Sequence, residues 1–161
     1  MDIVIFIGSE SDYELKDTVG ILKEFGVSYR LEVTSAHRSP ERTRALIVDS
    51  EKKGAKVFIA AAGRAAHLAG VVAGHTTAPV IGVPVESGGL GGLDALLSTV
   101  QMPKGVPVAT MGLGKAGASN AAILAVQILS VKNPLLKKKL DAYKKAMAAQ
   151  VEGASKKLPQ A

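Results

Sequence analysis

Cysteine is missing from all 161 residues, which rules out disulfides and thiolate metal sites and fits a reducing compartment. Tryptophan is missing as well, and Phe and Tyr together make up only 4% of the chain, so Val, Ile, Leu and Ala must fill the core. No apolar stretch long enough to span a bilayer runs free of charges or of Gly and Pro punctuation. The amino terminus opens directly on a strand-like run, without the basic, apolar, small-residue order of a secretory signal. A soluble cytoplasmic protein, with no membrane partner, is the expectation.

Hydrophobic residues make up 47% of the chain, enough for one catalytic-sized domain spanning 1–161. The formal charge of +6 is local: between Lys132 and Lys157 stand eight lysines against Asp141 and Glu152, and the chain before them is balanced. A basic tail can mark nucleic-acid binding. Here no aromatic residues interleave with the lysines and no groove-reading motif occurs, so a solvated helix face is expected and nucleic acid is not a partner.

Ile3-Val4-Ile5-Phe6-Ile7 is a continuous β-branched and aromatic run, the pattern of a parallel strand buried on both faces. Helical spacing follows in Leu15, Val19, Leu22 and Phe25, stopped by Gly26. Further strands are expected at about 28–34, 57–61, 79–83 and 106–110, with Pro107 confining the last to a sheet edge. Helices are expected between them, the second starting at Ser39-Pro40 with Ser39 as its cap. Five strands alternating with helices predict a parallel sheet in a three-layer α/β/α fold, with the flavodoxin-like order 2-1-3-4-5. Ligands then bind outside the carboxyl ends of β1 and β3, where the order reverses. Beyond that core, residues 116–129 read as a buried helix, and Leu136, Leu140, Tyr143, Met147 and Val151 form a stripe on a carboxy-terminal helix over 134–152. With the five-stranded core complete, the stripe is expected to pack on a neighbouring subunit, making a homo-oligomer.

Chemistry concentrates at those strand ends. Thr34-Ser35-Ala36-His37-Arg38-Ser39-Pro40 offers a hydroxyl, an imidazole and a guanidinium together. Arg brings a permanently charged fork that suits phosphate or carboxylate, and His exchanges protons near neutrality. Gly8-Ser9-Glu10-Ser11-Asp12 reads equally as an anion cradle at a helix amino terminus or as a helix cap, and Asp12 could accept ribose hydroxyls. His67, in the Gly63-Arg64-Ala65-Ala66-His67 turn, lies near the same crevice, whereas His75 lacks such neighbours and reads as structural. For Arg64 three readings stay open: an intersubunit bridge, a substrate-carboxylate contact, or solvent. No carboxylate–histidine spacing of the zinc kind occurs, so no metal is expected. The Gly88-Gly89-Leu90-Gly91-Gly92 loop has the flexibility of a lid but lacks the Lys-Ser/Thr of a Walker motif.

Taken in order, Gly8–Asp12, Ser35–Pro40, Ala65–Leu68, Pro79–Val85, Gly92–Ser98, Val100–Pro103 and Gly114–Ala118 resemble the N5-carboxyaminoimidazole ribonucleotide mutases of purine biosynthesis over nearly the whole chain. The resemblance implies an octamer with sites shared between subunits and a small phosphoribosyl substrate. The implied reaction moves a carboxylate from the exocyclic nitrogen to C4 without any cofactor. It further implies that Ser9, Ser35 and Arg38 hold the phosphate, Asp12 the ribose, and that His37 is the general acid/base. Gly63, Ala65, Ala66, His67 and Leu68 would then line the pocket for the base and the transient CO2. Two positions depart from the family turn Ala-Gly-Gly-Ala-Ala-His-Leu-Pro-Gly: Arg64 replaces its second glycine and Ala69 its proline. The related class II enzymes, which carboxylate aminoimidazole ribonucleotide directly with CO2, carry Arg at a similar place but lack the histidine and tend to have Lys where this chain has Arg38. A direct carboxylase, or a non-catalytic phosphoribosyl-ligand sensor on the same fold, are the alternatives.

Overall fold

The computed structural model describes residues 1–9 and 16–159. They divide into two compact units, Met1–Val126 and Gln127–Ala161. In the first, β1 (Ile3–Ile7), β2 (Tyr29–Val33), β3 (Val57–Gly63), β4 (Val80–Val85) and β5 (Ala109–Thr110) form one parallel sheet in the order β2-β1-β3-β4-β5. The helices are α1 (Lys16–Phe25), α2 (Pro40–Lys52), α3 (Leu68–Ala73), α4 (Leu93–Val100) and α5 (Gly114–Ser130), the last running into the second unit, followed there by α6 (Pro134–Ser155). None of the helices is long and apolar enough to cross a membrane among the described residues.

Side chains alternate between the two faces of a strand. Val4, Phe6, Phe58, Ala60 and Val80 therefore share one face, where they cluster with Leu46 and Ile47 of α2 and Leu68, Ala69 and Val72 of α3. Phe6 and Phe58 meet there with ring centroids 5.9 Å apart. The intervening residues Ile3, Ile5, Ile7, Val57, Ile59 and Ala61 are buried on the opposite face. On that side α1 and α5 are joined by Thr18, whose hydroxyl donates to the Ala118 carbonyl at 2.8 Å. Each such fully buried Ile or Phe contributes roughly 1.5–3 kcal/mol. That double-sided burial is why these strands read as unbroken apolar runs.

The edges differ from the centre as their sequences require. β2 is only partly buried and carries Arg30 and Glu32, which pair with each other at 2.7 Å; Arg30 also bonds Asp49 of α2 at 2.7 Å. Charges of this kind keep an edge strand from pairing with another chain. At the other edge, β5 has two residues rather than the five expected, because Pro107 has no N–H to give the ladder.

Register fixes where the strands deliver their loops. Ile7 lies opposite Val33 on one side and Ala61 on the other, so Gly8 and Thr34 leave the sheet level with Ala62, while β3 runs on beside β4 as far as Gly63. From β1 the chain crosses to β2, and from β3 to β4, so the two connections diverge and leave a crevice between them.

In the second unit, Asn133 caps α6 by accepting from the N–H groups of Leu135 and Leu136. Along the predicted stripe Leu136 and Leu140 are buried at 8% and 7% exposure, whereas Met147 and Val151 stand 42% and 71% exposed.

Candidate active site

The crevice at the β1/β3 switch point is a cleft of about 580 Å³ lined by Gly8 and Ser9 after β1, 35–38 after β2, 62–65 and Leu68 at and beyond the end of β3, and Ser87 after β4. A pocket of this size, outside the carboxyl ends of parallel strands, is where such folds bind small molecules.

Its 34–39 wall is braced by its own hydroxyls. Ser39 stands at the amino end of α2 as expected, but its side chain makes no capping bond to the helix. Instead Ser39 Oγ accepts from the Ser35 N–H at 3.0 Å and lies 3.3 Å from the Ser35 carbonyl oxygen. Ser35 Oγ in turn accepts from the Arg38 N–H at 3.2 Å. Below them Thr34 Oγ1 and Thr43 Oγ1, both buried, are 2.7 Å apart. The Arg38 guanidinium donates through Nη2 to the Gly8 carbonyl at 3.0 Å, linking the exits of β1 and β2. The Ser35 hydroxyl and the rest of the Arg38 fork, both on the cleft, are suited to a phosphate.

The opposite wall is shaped by close approach. A Cβ on Gly63 would stand 1.9 Å from Ser87 Oγ, so only glycine lets the β4 exit fold against β3. The next residue, Arg64, has φ 48, the one non-glycine residue at positive φ among those described. A left-handed conformation costs an L-residue roughly 1–2 kcal/mol. After that turn Ala65 and Leu68 face the cleft, whereas the Ala66 side chain, 1% exposed, points into the core.

His37 lines the cleft and His67 does not; His67 borders a neighbouring depression with Gly70, Val71, Leu97 and Met102. The two rings nevertheless touch: His37 Nε2 is 2.8 Å from His67 Nδ1, with centroids 4.9 Å apart and planes at 68°. One nitrogen of the pair must donate and the other accept, so His67 fixes which way the His37 ring is turned and which of its nitrogens is engaged. His75 is separate: its Nδ1 lies 2.8 Å from the Val71 carbonyl, at the end of α3.

Of the residues the sequence singles out, Ser9, Ser35, His37, Arg38, Gly63, Ala65 and Leu68 share the cleft, and His67 joins through His37. Ser11 and Asp12 lie outside the described residues. Sequence reasoning passed over Ser87 and the bracing role of Ser39. The first had a signal in its position just past the carboxyl end of β4, next to β3 in the sheet. Among the described residues, no three His, Asp or Glu side chains are gathered as a metal ion would need.

Fold and cleft define a small-molecule enzyme of the flavodoxin-like α/β class, with anion-holding groups on one wall and a histidine pair beside them. The model of the AIR carboxylase family matches residues 2–150, and the chain belongs to that family. It is 50% identical over 155 residues to the N5-carboxyaminoimidazole ribonucleotide mutase of Pyrococcus horikoshii, covering 96% of this chain and 86% of that protein. To the mutase of the same name from Methanocaldococcus jannaschii it is 51% identical, over 97% of this chain and 96% of that one. The Bacillus subtilis mutase is 54% identical over 85% of each chain. Among solved structures, Treponema denticola PurE superposes with a TM-score of 0.89 at 29% identity, covering 98% of both chains.

Proposed function

We propose that this chain is an N5-carboxyaminoimidazole ribonucleotide mutase, moving a carboxylate from the exocyclic nitrogen of the aminoimidazole to C4. The observation that carries the reading is the His37–His67 pair at 2.8 Å, set beside an Arg38–Ser35 anion wall. As the N–CO2 bond breaks, the nitrogen takes up a proton; as C4 attacks the CO2, the C4 proton must leave. One imidazole that gives the first proton and takes the second balances the reaction, and His37 is the imidazole on the cleft. CO2 would escape in open water, so the apolar wall of Ala65 and Leu68 serves to keep it beside the ring.

Ser9, Ser35 and Arg38 are assigned to the phosphate, Asp12 to the ribose hydroxyls, and Gly63, Ala65, Ala66, His67 and Leu68 to the surroundings of the base and CO2. For Ala66, with its side chain in the core, that role falls to the backbone. The full chain acts as one catalytic domain, in the cytoplasm, as a homo-octamer in which residues 134–152 pack on a neighbouring subunit. The exposed outer half of the α6 stripe, Met147 and Val151, supports that packing.

Arg64 favours a second reading, a direct carboxylase that takes CO2 from solution. The two are separated by supplying the carbamate substrate in buffer containing isotopically labelled bicarbonate. A mutase consumes the carbamate with little label in the product during initial turnover. Rapid labelling with the carbamate left unconsumed would make the protein a direct carboxylase, and binding without any turnover would make it a sensor.

A further inference from the structure

Arg64 combines three features that its fold alone does not require. It holds φ 48, a backbone conformation glycine takes without strain. Its side chain lines the cleft and reaches across to the loop after β4, where a Cβ on Gly88 would lie 3.7 Å from Arg64 Nε. No hydrogen bond or ion pair joins it to another described residue, and it is exposed. Among the described residues this guanidinium therefore has no partner; it stands at the β3/β4 side of the cleft, across from Arg38, which is tied to the β1 exit through Gly8.

The described lining thus carries two guanidiniums, one on each of two separate walls. A cleft so charged fits a ligand with two separate anionic groups rather than one. Arg38 sits in the loop braced by Ser35 and Ser39, as a phosphate seat requires; Arg64 sits beside Gly63, Ala65 and the imidazole pair's turn, where the base would lie. We infer that Arg64 is a specificity-determining residue that pairs with the carboxylate of the substrate and product and so distinguishes carboxylated from decarboxylated nucleotide. The inference rests on the mutase reading and adds to it a source of selectivity. A planar fork matches a carboxylate in a bidentate pair, while the uncarboxylated ring gives it nothing to bind.

Arg64→Gly tests this without threatening the fold, because glycine removes the guanidinium and relaxes the backbone; its melting temperature should equal or exceed the parent's. Equilibrium binding is measured by calorimetry for 4-carboxyaminoimidazole ribonucleotide, aminoimidazole ribonucleotide and ribose 5-phosphate. In the parent the carboxylated nucleotide should bind at least about tenfold more tightly than the decarboxylated one, as a charge-assisted pair provides. In Arg64→Gly that ratio should collapse towards one while the other two ligands keep their affinity within about twofold, and Arg64→Lys should restore part of it. An unchanged ratio, or equal weakening of all three ligands, would overturn the role of Arg64 and leave the mutase reading standing if the parent turns over the carbamate. A parent that binds neither imidazole nucleotide would overturn both.

Discussion

His37 Nε2 and His67 Nδ1 lie 2.8 Å apart, although one ring belongs to the loop after β2 and the other to the turn after β3. The parallel β1–β2 and β1–β3 pairings bring those loops to the same level. On the proposed mechanism, proton transfer falls to His37 and ring orientation to His67. His37→Asn should lower turnover by about 10²–10⁴-fold, the usual loss of a general acid/base, with phosphate-dependent binding retained. His67→Asn should lower it less, and the double variant should be no slower than His37→Asn alone, because groups acting as a unit are not additive. Fully multiplicative losses in steady-state rates would separate the two residues.

The proposed function gives Arg38 a binding role, and its geometry suits one, with one N–H committed to Gly8 and the rest of its fork on the cleft. Arg38→Ala removes a charge-assisted contact worth roughly 1.5–3 kcal/mol, which corresponds to a rise in KM of about tenfold to a hundredfold with a much smaller change in kcat. A dephosphorylated substrate should not feel the change. Equal losses for both substrates would remove Arg38 from the phosphate site.

The carboxy-terminal stripe has a buried half and an open half. Leu136 and Leu140 are covered within a single chain, while Met147 and Val151 are exposed on the same helix. Truncation before Pro134 should give smaller or aggregated species by light scattering, since it removes the helix and uncovers apolar surface. Met147→Glu with Val151→Glu should lower the assembly mass while circular dichroism stays at the parent level. A parent-like mass for both variants would exclude α6 from the interface.

Stability should fall in acid through the start of β1. Hydrogen bonds from the Lys56 ammonium, and then from the Ser28 hydroxyl, hold the Asp2 carboxyl below its ordinary pKa. A carboxylate depressed on folding stabilises the protein above its unfolded pKa of about 4 and loses that contribution as pH falls through the folded value. Asp2→Asn should therefore cost at most about 1 kcal/mol at pH 6, since the pair is largely exposed, and the gap from the parent should close in acid, once the pH has fallen through the lowered folded value. Urea midpoints that differ equally near neutrality and in acid would contradict the assignment.

How much could be read in advance depended on what each residue type constrains. β1 and β3 were legible because burial on both faces leaves no polar position in Ile3–Ile7 or Val57–Ala61. The site followed from them, since the loops at Gly8, Ser35 and Gly63 had to leave a parallel sheet at one end. Side-chain direction was less legible. Ser39 is the right residue to begin α2, yet its hydroxyl turns back to Ser35, a choice between rotamers that residue type leaves open. Ala66 and His67 read alike as pocket residues, but the left-handed turn at Arg64 sends the first into the core and the second towards His37. The edge place of β5 was legible in Pro107, but not that the missing N–H would shrink the strand to Ala109–Thr110.

The cleft draws its walls from the ends of β1 to β4, so whatever fills it is thermodynamically a clamp on those four strands. Opening β1 from β2 or β3 destroys the site, and the ligand must leave first. At a free ligand concentration a hundred times its dissociation constant, that linkage adds about 2.7 kcal/mol to the folded state. A filled cleft therefore leaves the sheet harder to open and to digest than an empty one.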